Sequence, residues 1–145
     1  MYENVLLPTD GSDGTGRVVD HALHIARMDE ATVHVLHVVD TSVAPLDAHS
    51  QSVYDALEAA GRKSVEEIRE RALDAGIHAV SAIRRGSPHR ELLDYADGND
   101  IDLIVMGTHG RTGLERTLLG SVTERVVRLA SVPVLTVRTG PPRAE

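Results

Sequence analysis

MGTHGRTGLERTLLGSVTE, residues Met106–Glu124, is the stretch whose reading decides the fold. It follows the run Ile101–Met106, whose Leu103, Ile104 and Val105 read as a buried strand. Glycines stand at 107, 110, 113 and 120, and Ser121 follows the last of them. Val122, Val126, Leu129 and Ala130 then recur at helical spacing. The order is strand, glycine-rich loop, helix. A loop of this kind brings backbone N–H groups close to an anion, and the helix N-terminus adds a favourable dipole.

Outward from that stretch the chain repeats the same alternation. Asn4–Thr9 (NVLLPT) is a short apolar run ended by Pro8, Asp10 and Gly11, which predicts a buried strand and then a loop. From Ser12 to Met28, residues Val18, Val19, Ala22, Leu23 and Ala26 form one helical stripe. Ala31–Val39 is rich in β-branched residues and predicts a second strand. Thr41–Ser52, with Pro45 and little periodicity, predicts a loop or lid. Val53–Ala75 predicts a long helix with Val53, Leu57, Ala60, Val65, Ile68 and Ala72 inward, closed by Gly76 at C′. His78–Arg84 predicts an edge strand, and Ser87 and Pro88 supply an N-cap and an N1 proline for the helix packed by Leu92, Leu93 and Ala96. Val132–Arg138 gives a fifth strand, and the GPPR end, from Thr139 into residues 140–145, is expected to be a disordered tail. The folded unit is expected to be one domain over residues 1–139.

Strands alternating with helices imply an α/β fold, an open five-stranded parallel sheet with helices on both faces. With strand order 3-2-1-4-5, Pro8-Thr9-Asp10 and Gly107-Thr108-His109-Gly110 flank one crevice at the topological switch point, where ligands sit in such folds.

Composition narrows the function. The chain has 145 residues, 41% hydrophobic and 26% charged, with a formal net charge of −7. That charge argues against non-specific nucleic-acid binding, which needs clustered Lys and Arg. No cysteine is present, so disulfides, thiolate catalysis and Cys-ligated metals are excluded. MYENVLLPTDGS carries no basic n-region, and no apolar run approaches the roughly 18–20 residues of a membrane helix. A cytoplasmic location, with no membrane partner, is the expectation. Lys63 is the single lysine and lies mid-helix among charges, a poor setting for a Schiff-base or P-loop lysine.

Each motif has a plain structural explanation beside the functional one. Gly107 and Gly110 either approach an anion or make a tight turn. Ser121 and Glu124 fit a Ser-x-x-Glu capping box that needs no ligand. There is no Gly-Lys-Ser/Thr and no GxGxxG after the first strand. Asp10 either caps the first helix or accepts hydrogen bonds from a ribose or base. His109 either donates to a phosphate or fills a turn. His21 and His24 share a helix face without a third ligand, and His34 and His37 point to opposite faces of their strand. Gly11-Ser12-Asp13-Gly14 is not a nucleophile elbow. On physics alone, phosphate binding and a turn with a cap stand level.

At these residues the chain resembles the universal stress protein family over Met1–Arg138. The resemblance is carried by Val5-Leu6-Leu7-Pro8-Thr9-Asp10-Gly11-Ser12, His37-Val38-Val39-Asp40, Asp102–Gly110, Leu119-Gly120-Ser121-Val122-Thr123 and Val132-Pro133-Val134-Leu135. Its ATP-binding members show Gly-2x-Gly-9x-Gly-Ser/Thr, matched here at Gly107, Gly110, Gly120 and Ser121. The resemblance implies an adenine pocket at Pro8, Thr9, Asp10 and the Val38 backbone. It implies ribose and phosphate contacts at Met106, Gly107, His109, Gly110, Gly120, Ser121, Val122 and Thr123. Arg111 is a candidate charge partner outside the family pattern. ATP with Mg²⁺ or Mn²⁺ is the implied cofactor. A homodimer through the last strand (Val134, Leu135, Thr136, Val137) is the implied assembly. The expected role is a nucleotide-dependent regulatory stress protein. The alternatives are a slow or autophosphorylating ATPase, for which only Asp10 or His109 offers a base, and a nucleotide-free dimeric interaction module.

Overall fold

The computed structural model describes residues 1–10, 15–42, 48–109 and 119–139. Its elements run β1 (Asn4–Pro8), α1 (Thr15–Asp29), β2 (Thr32–Asp40), α2 (Ala48–Asp74), β3 (Ala79–Gly86), α3 (Pro88–Gly98), β4 (Leu103–Gly107), α4 (Ser121–Leu129) and β5 (Val134–Val137). The five strands form one parallel sheet in the order β3-β2-β1-β4-β5, as expected. The start of the first helix at Ser12 lies outside the described residues.

The central strands are apolar on both faces because helices cover both. Val5, Leu7, Val33, Val35 and Val105 point to one side, where α1 (Val18, Val19, Ala22, Ala26) and α2 (Val65, Ile68, Ala72) close over them. Leu6, Leu36, Ile104 and Met106 point to the other, against α3 (Leu92, Tyr95, Ala96) and Val126 of α4. His34 and His37 follow this alternation. His34 reaches Tyr95 on the α3 side, and His37 lies against Gly61 of α2.

Several boundaries differ from the sequence reading. α2 begins at Ala48, inside the predicted loop Thr41–Ser52. A tertiary clamp ties the first half of α2 to the sheet: Arg85 of β3 donates from Nη2 to Asp55 at 2.7 Å, from Nε to Glu58 at 3.1 Å and from Nη1 to Gln51 at 3.3 Å. Those hydrogen bonds, to Asp55 first and then Glu58, hold the guanidinium pKa above its ordinary value. The inward face of the same helix was also misassigned in its first half. Tyr54, Gly61, Val65, Ile68 and Ala72 are buried, whereas Val53 and Leu57 are exposed. In α4 Val126 is buried and Leu129 is exposed, because the helix ends at Leu129 and the chain turns to an extended Ala130.

The predicted stop signal at Gly76 behaves as its chemistry requires. Gly76 takes φ 78°, with its N–H on the Leu73 carbonyl at 3.0 Å and the Ile77 N–H on Ala72 at 3.0 Å. That is a Schellman end. Ser87 is the N-cap of α3 with Pro88 in the first turn, but its hydroxyl lies 3.3 Å from His89 Nδ1 and makes no capping bond.

Candidate functional site at the sheet switch point

β1 lies between β2 and β4, so the carboxyl ends of β1 and β4 border the point where strand order reverses. The β1–β2 ladder runs to Pro8↔Leu36, and the Thr9 N–H continues it to the Leu36 carbonyl at 2.8 Å. Alternate residues of a parallel strand face opposite neighbours, so Pro8 faces β4. Its ring nitrogen has no hydrogen to donate. Among the described residues the β1–β4 ladder accordingly stops at Leu6↔Ile104. A proline at this position ends the pairing where a crevice must begin.

Thr9 is buried, and its carbonyl is held by His37 Nδ1 at 2.7 Å. The accepting carbonyl places the proton on Nδ1. The His37 ring lies against Gly61, where a Cβ would stand 2.7 Å from Nε2. Thus α2 carries a glycine so that an imidazole from β2 can brace the end of β1. Asp10 is half-buried beyond this brace, and Val38 is half-buried near the end of β2.

The β4 side is a network of short bonds. The Thr108 N–H donates to the Val137 carbonyl of β5 at 2.9 Å, and the Gly120 N–H donates to the Thr108 carbonyl at 2.6 Å. Thr123 is buried, and its hydroxyl donates to the Gly107 carbonyl at 2.8 Å. The first turn of α4 is therefore tied to the last residue of β4. His109 Nδ1 lies 3.2 Å from the Thr108 hydroxyl.

Gly120, not Ser121, is the N-cap of α4, which corrects the capping-box reading. Ser121 is the first helical residue and is exposed. Gly120 offers no side chain to the first-turn N–H groups, so they and the helix dipole face the crevice end of β4 without a capping side chain from that position.

The expected site residues sort by what their atoms already do. Pro8, Thr9, Asp10 and Val38 lie at the ends of β1 and β2. Gly107, His109, Gly120, Ser121 and Val122 gather where β4 meets α4. Met106 is buried in the α3/α4 core, and the Thr123 hydroxyl is committed to Gly107, so each has only backbone left to offer. Gly110 and Arg111 lie outside the described residues. Three braces were missed: His37, Thr108 and Thr139. A glycine in the middle of a long helix was the available signal for His37. Among the described residues no group of three His, Asp or Glu side chains gathers in a way that could hold a metal ion.

The architecture is that of a doubly wound α/β protein whose switch point is bordered by the end of β4 at Gly107 and by the N-terminus of α4. The chain belongs to the universal stress protein family, whose model matches residues 1–138. It is 37% identical over 141 residues to universal stress protein MJ0531 of Methanocaldococcus jannaschii, covering 95% of this chain and 83% of that one. The solved structure of protein MJ0577 of the same organism superposes with a TM-score of 0.91 at 31% identity, covering 98% of this chain and 99% of that one. A crystal structure of a universal stress protein in complex with cAMP superposes with a TM-score of 0.72 at 30% identity, covering 96% and 99%. No helix among the described residues is long and apolar enough to cross a membrane.

Proposed function

We propose that this chain is a nucleotide-binding regulatory member of its family, one domain over residues 1–139, with ATP as its ligand. The observation that carries the reading is the N-terminus of α4, whose N-cap Gly120 has no side chain to cap it, fixed to the end of β4 by the Gly120–Thr108 bond at 2.6 Å and the Thr123–Gly107 bond at 2.8 Å. A helix start held beside a glycine turn suits a phosphate chain, which takes backbone N–H donors and needs no lysine. The end of β1, braced through Thr9, supplies the adenine half at Pro8, Thr9, Asp10 and Val38. The relative bound to cAMP supports an adenine ligand. The Gly-2x-Gly-9x-Gly-Ser spacing supports a triphosphate.

A Mg²⁺ or Mn²⁺ ion accompanying the nucleotide would be held mainly through phosphate oxygens and water. When bound, it neutralises phosphate charge. Asp10 is the carboxylate at the crevice end of β1. The chain's own residues hold and orient the nucleotide, so occupancy rather than turnover is the regulatory signal.

The assembly we propose is a homodimer through β5. Leu135 points outward and is exposed, while Val137 is buried within its own subunit, so Leu135 and the strand edge carry the contact. The function is tested by denaturing the purified protein, identifying the released small molecules, and following the melting temperature in millimolar ATP. Released adenine nucleotide or a rise in melting temperature is expected. The absence of both release and shift contradicts the proposal.

A further inference from the structure

We infer that Thr139 is a positioning residue for the phosphate-side turn, and that the nucleotide affinity of the site depends on its hydroxyl. The inference rests on the nucleotide reading above. Thr139 lies two residues beyond the end of β5 and one residue beyond the family match. It nevertheless touches each residue of the turn in succession. Its methyl Cγ2 occupies the space beside Gly107, 2.7 Å from where a Cβ on that glycine would stand. Its N–H donates to the Thr108 hydroxyl at 3.2 Å, and the two hydroxyls are 3.4 Å apart. Its Oγ1 accepts the His109 N–H at 3.2 Å and lies 3.3 Å from the His109 carbonyl, to which it donates.

One side chain thus satisfies the backbone donor and acceptor of His109 and packs against Gly107. Those contacts fix the backbone of Gly107, Thr108 and His109 at the end of β4. The Thr108 N–H on Val137 ties the same turn to β5 from the other side. Binding to backbone N–H groups is sensitive to such fixing, because a turn ordered before the ligand arrives loses less entropy on binding. Threonine suits the position for two separate reasons. The hydroxyl serves His109 and Thr108, and the methyl fills the space that Gly107 leaves open.

Thr139→Val keeps the shape and removes the hydroxyl, whereas Thr139→Ser keeps the hydroxyl and removes the methyl. Calorimetric titration of the whole chain with ATP should show Thr139→Val weaker than wild type by about tenfold, with Thr139→Ser restoring most of the affinity. Adenine, which engages only the base half, should bind all three proteins alike. Amide exchange at His109 should accelerate in Thr139→Val and not in Thr139→Ser. A wild-type protein that takes up no ATP overturns the proposed function and this inference together. ATP binding by Thr139→Val equal to wild type overturns this inference alone. Equal losses for ATP and adenine, or equal losses in both variants, also overturn it, since they mark a general loosening of the fold.

Discussion

Thr123 and His34 show how single side chains hold the two ends of the sheet. The Thr123 hydroxyl is buried and donates to the Gly107 carbonyl at 2.8 Å. Thr123→Val keeps the volume and leaves that carbonyl one donor short, so a loss of about 1–3 kcal/mol is expected in urea unfolding. An unchanged midpoint would show that the bond contributes nothing. His34 is saturated as a neutral ring. Nε2 lies 3.0 Å from the Asn4 side-chain oxygen and must carry the hydrogen, so Nδ1 accepts from the Tyr95 hydroxyl at 2.8 Å. The Asn4 amide donates to the Asp100 carbonyl at 3.3 Å, which fixes its oxygen toward the imidazole. The Tyr95 ring meets His34 edge-on at 5.6 Å and carries the Arg84 guanidinium 5.4 Å above its centroid. Burial lowers the His34 pKa from 6.5 and raises that of Tyr95, against an opposing pull from Arg84. The unfolded chain therefore takes up the His34 proton first. Stability from neutral His34 is present above 6.5 and is lost as pH falls through that value toward the lower folded one. The unfolding midpoint should drop as pH falls through 6.5, and His34→Gln should shrink that drop. A drop of the same size in His34→Gln would assign the titration elsewhere. None of this network was legible in sequence, because Asn4, His34 and Tyr95 meet only once β1, β2 and α3 are assembled.

At the scale of elements, α2 is the part that local pattern reads least well. Its stop was legible, since Gly76 needs a positive φ that few other residues adopt easily. Its start and inward face were not. Val53, Leu57 and Ala60 are as apolar as the buried set, and tertiary contacts mark the face that turns to the sheet: Arg85 grips Asp55 and Glu58, and the Ser81 hydroxyl donates to Glu66. The Arg71–Asp20 ion pair adds a tie from α2 to α1. Gly61 gives the element its sharpest test. Helix propensity alone favours Gly61→Ala by about 1 kcal/mol. A methyl there would overlap the His37 imidazole that braces Thr9, so a net loss of about 1–3 kcal/mol is expected instead. In a double-mutant cycle, His37→Ala should relieve part of that loss, because removing the ring makes room for the methyl. A more stable Gly61→Ala would refute the close approach. The β4–turn–α4 unit was legible in outline, since glycines, an apolar strand and a helical period mark it without help from elsewhere. The cap was not: a serine beside a glycine reads as the capping residue, yet Gly120 takes that place and Ser121 enters the helix.

For the whole molecule, the alternation of strands and helices predicted a parallel sheet, and the expected order 3-2-1-4-5, which the sheet adopts, set the switch point at which the candidate site was sought. Assembly belongs to the same scale. β5 is an edge strand with Leu135 exposed, and Val127 and Leu129 of the neighbouring α4 are exposed as well. An apolar parallel edge of this kind calls for a cover. Leu135→Asp should convert a dimer to monomer in light scattering, and a dimer that persists would place the interface elsewhere. The central claim is that the start of α4 receives a phosphate. Ser121→Glu separates that claim from simple helix capping, because the two give opposite signs. A carboxylate in the first turn complements the helix dipole and should leave stability unchanged or higher by about 0.3–1 kcal/mol. The same charge repels a phosphate at that position. Titrating ATP into wild-type and Ser121→Glu protein by calorimetry is therefore the most direct measurement. Binding by wild type and its loss in an equally stable Ser121→Glu is the predicted result, and undiminished binding by Ser121→Glu would contradict the account.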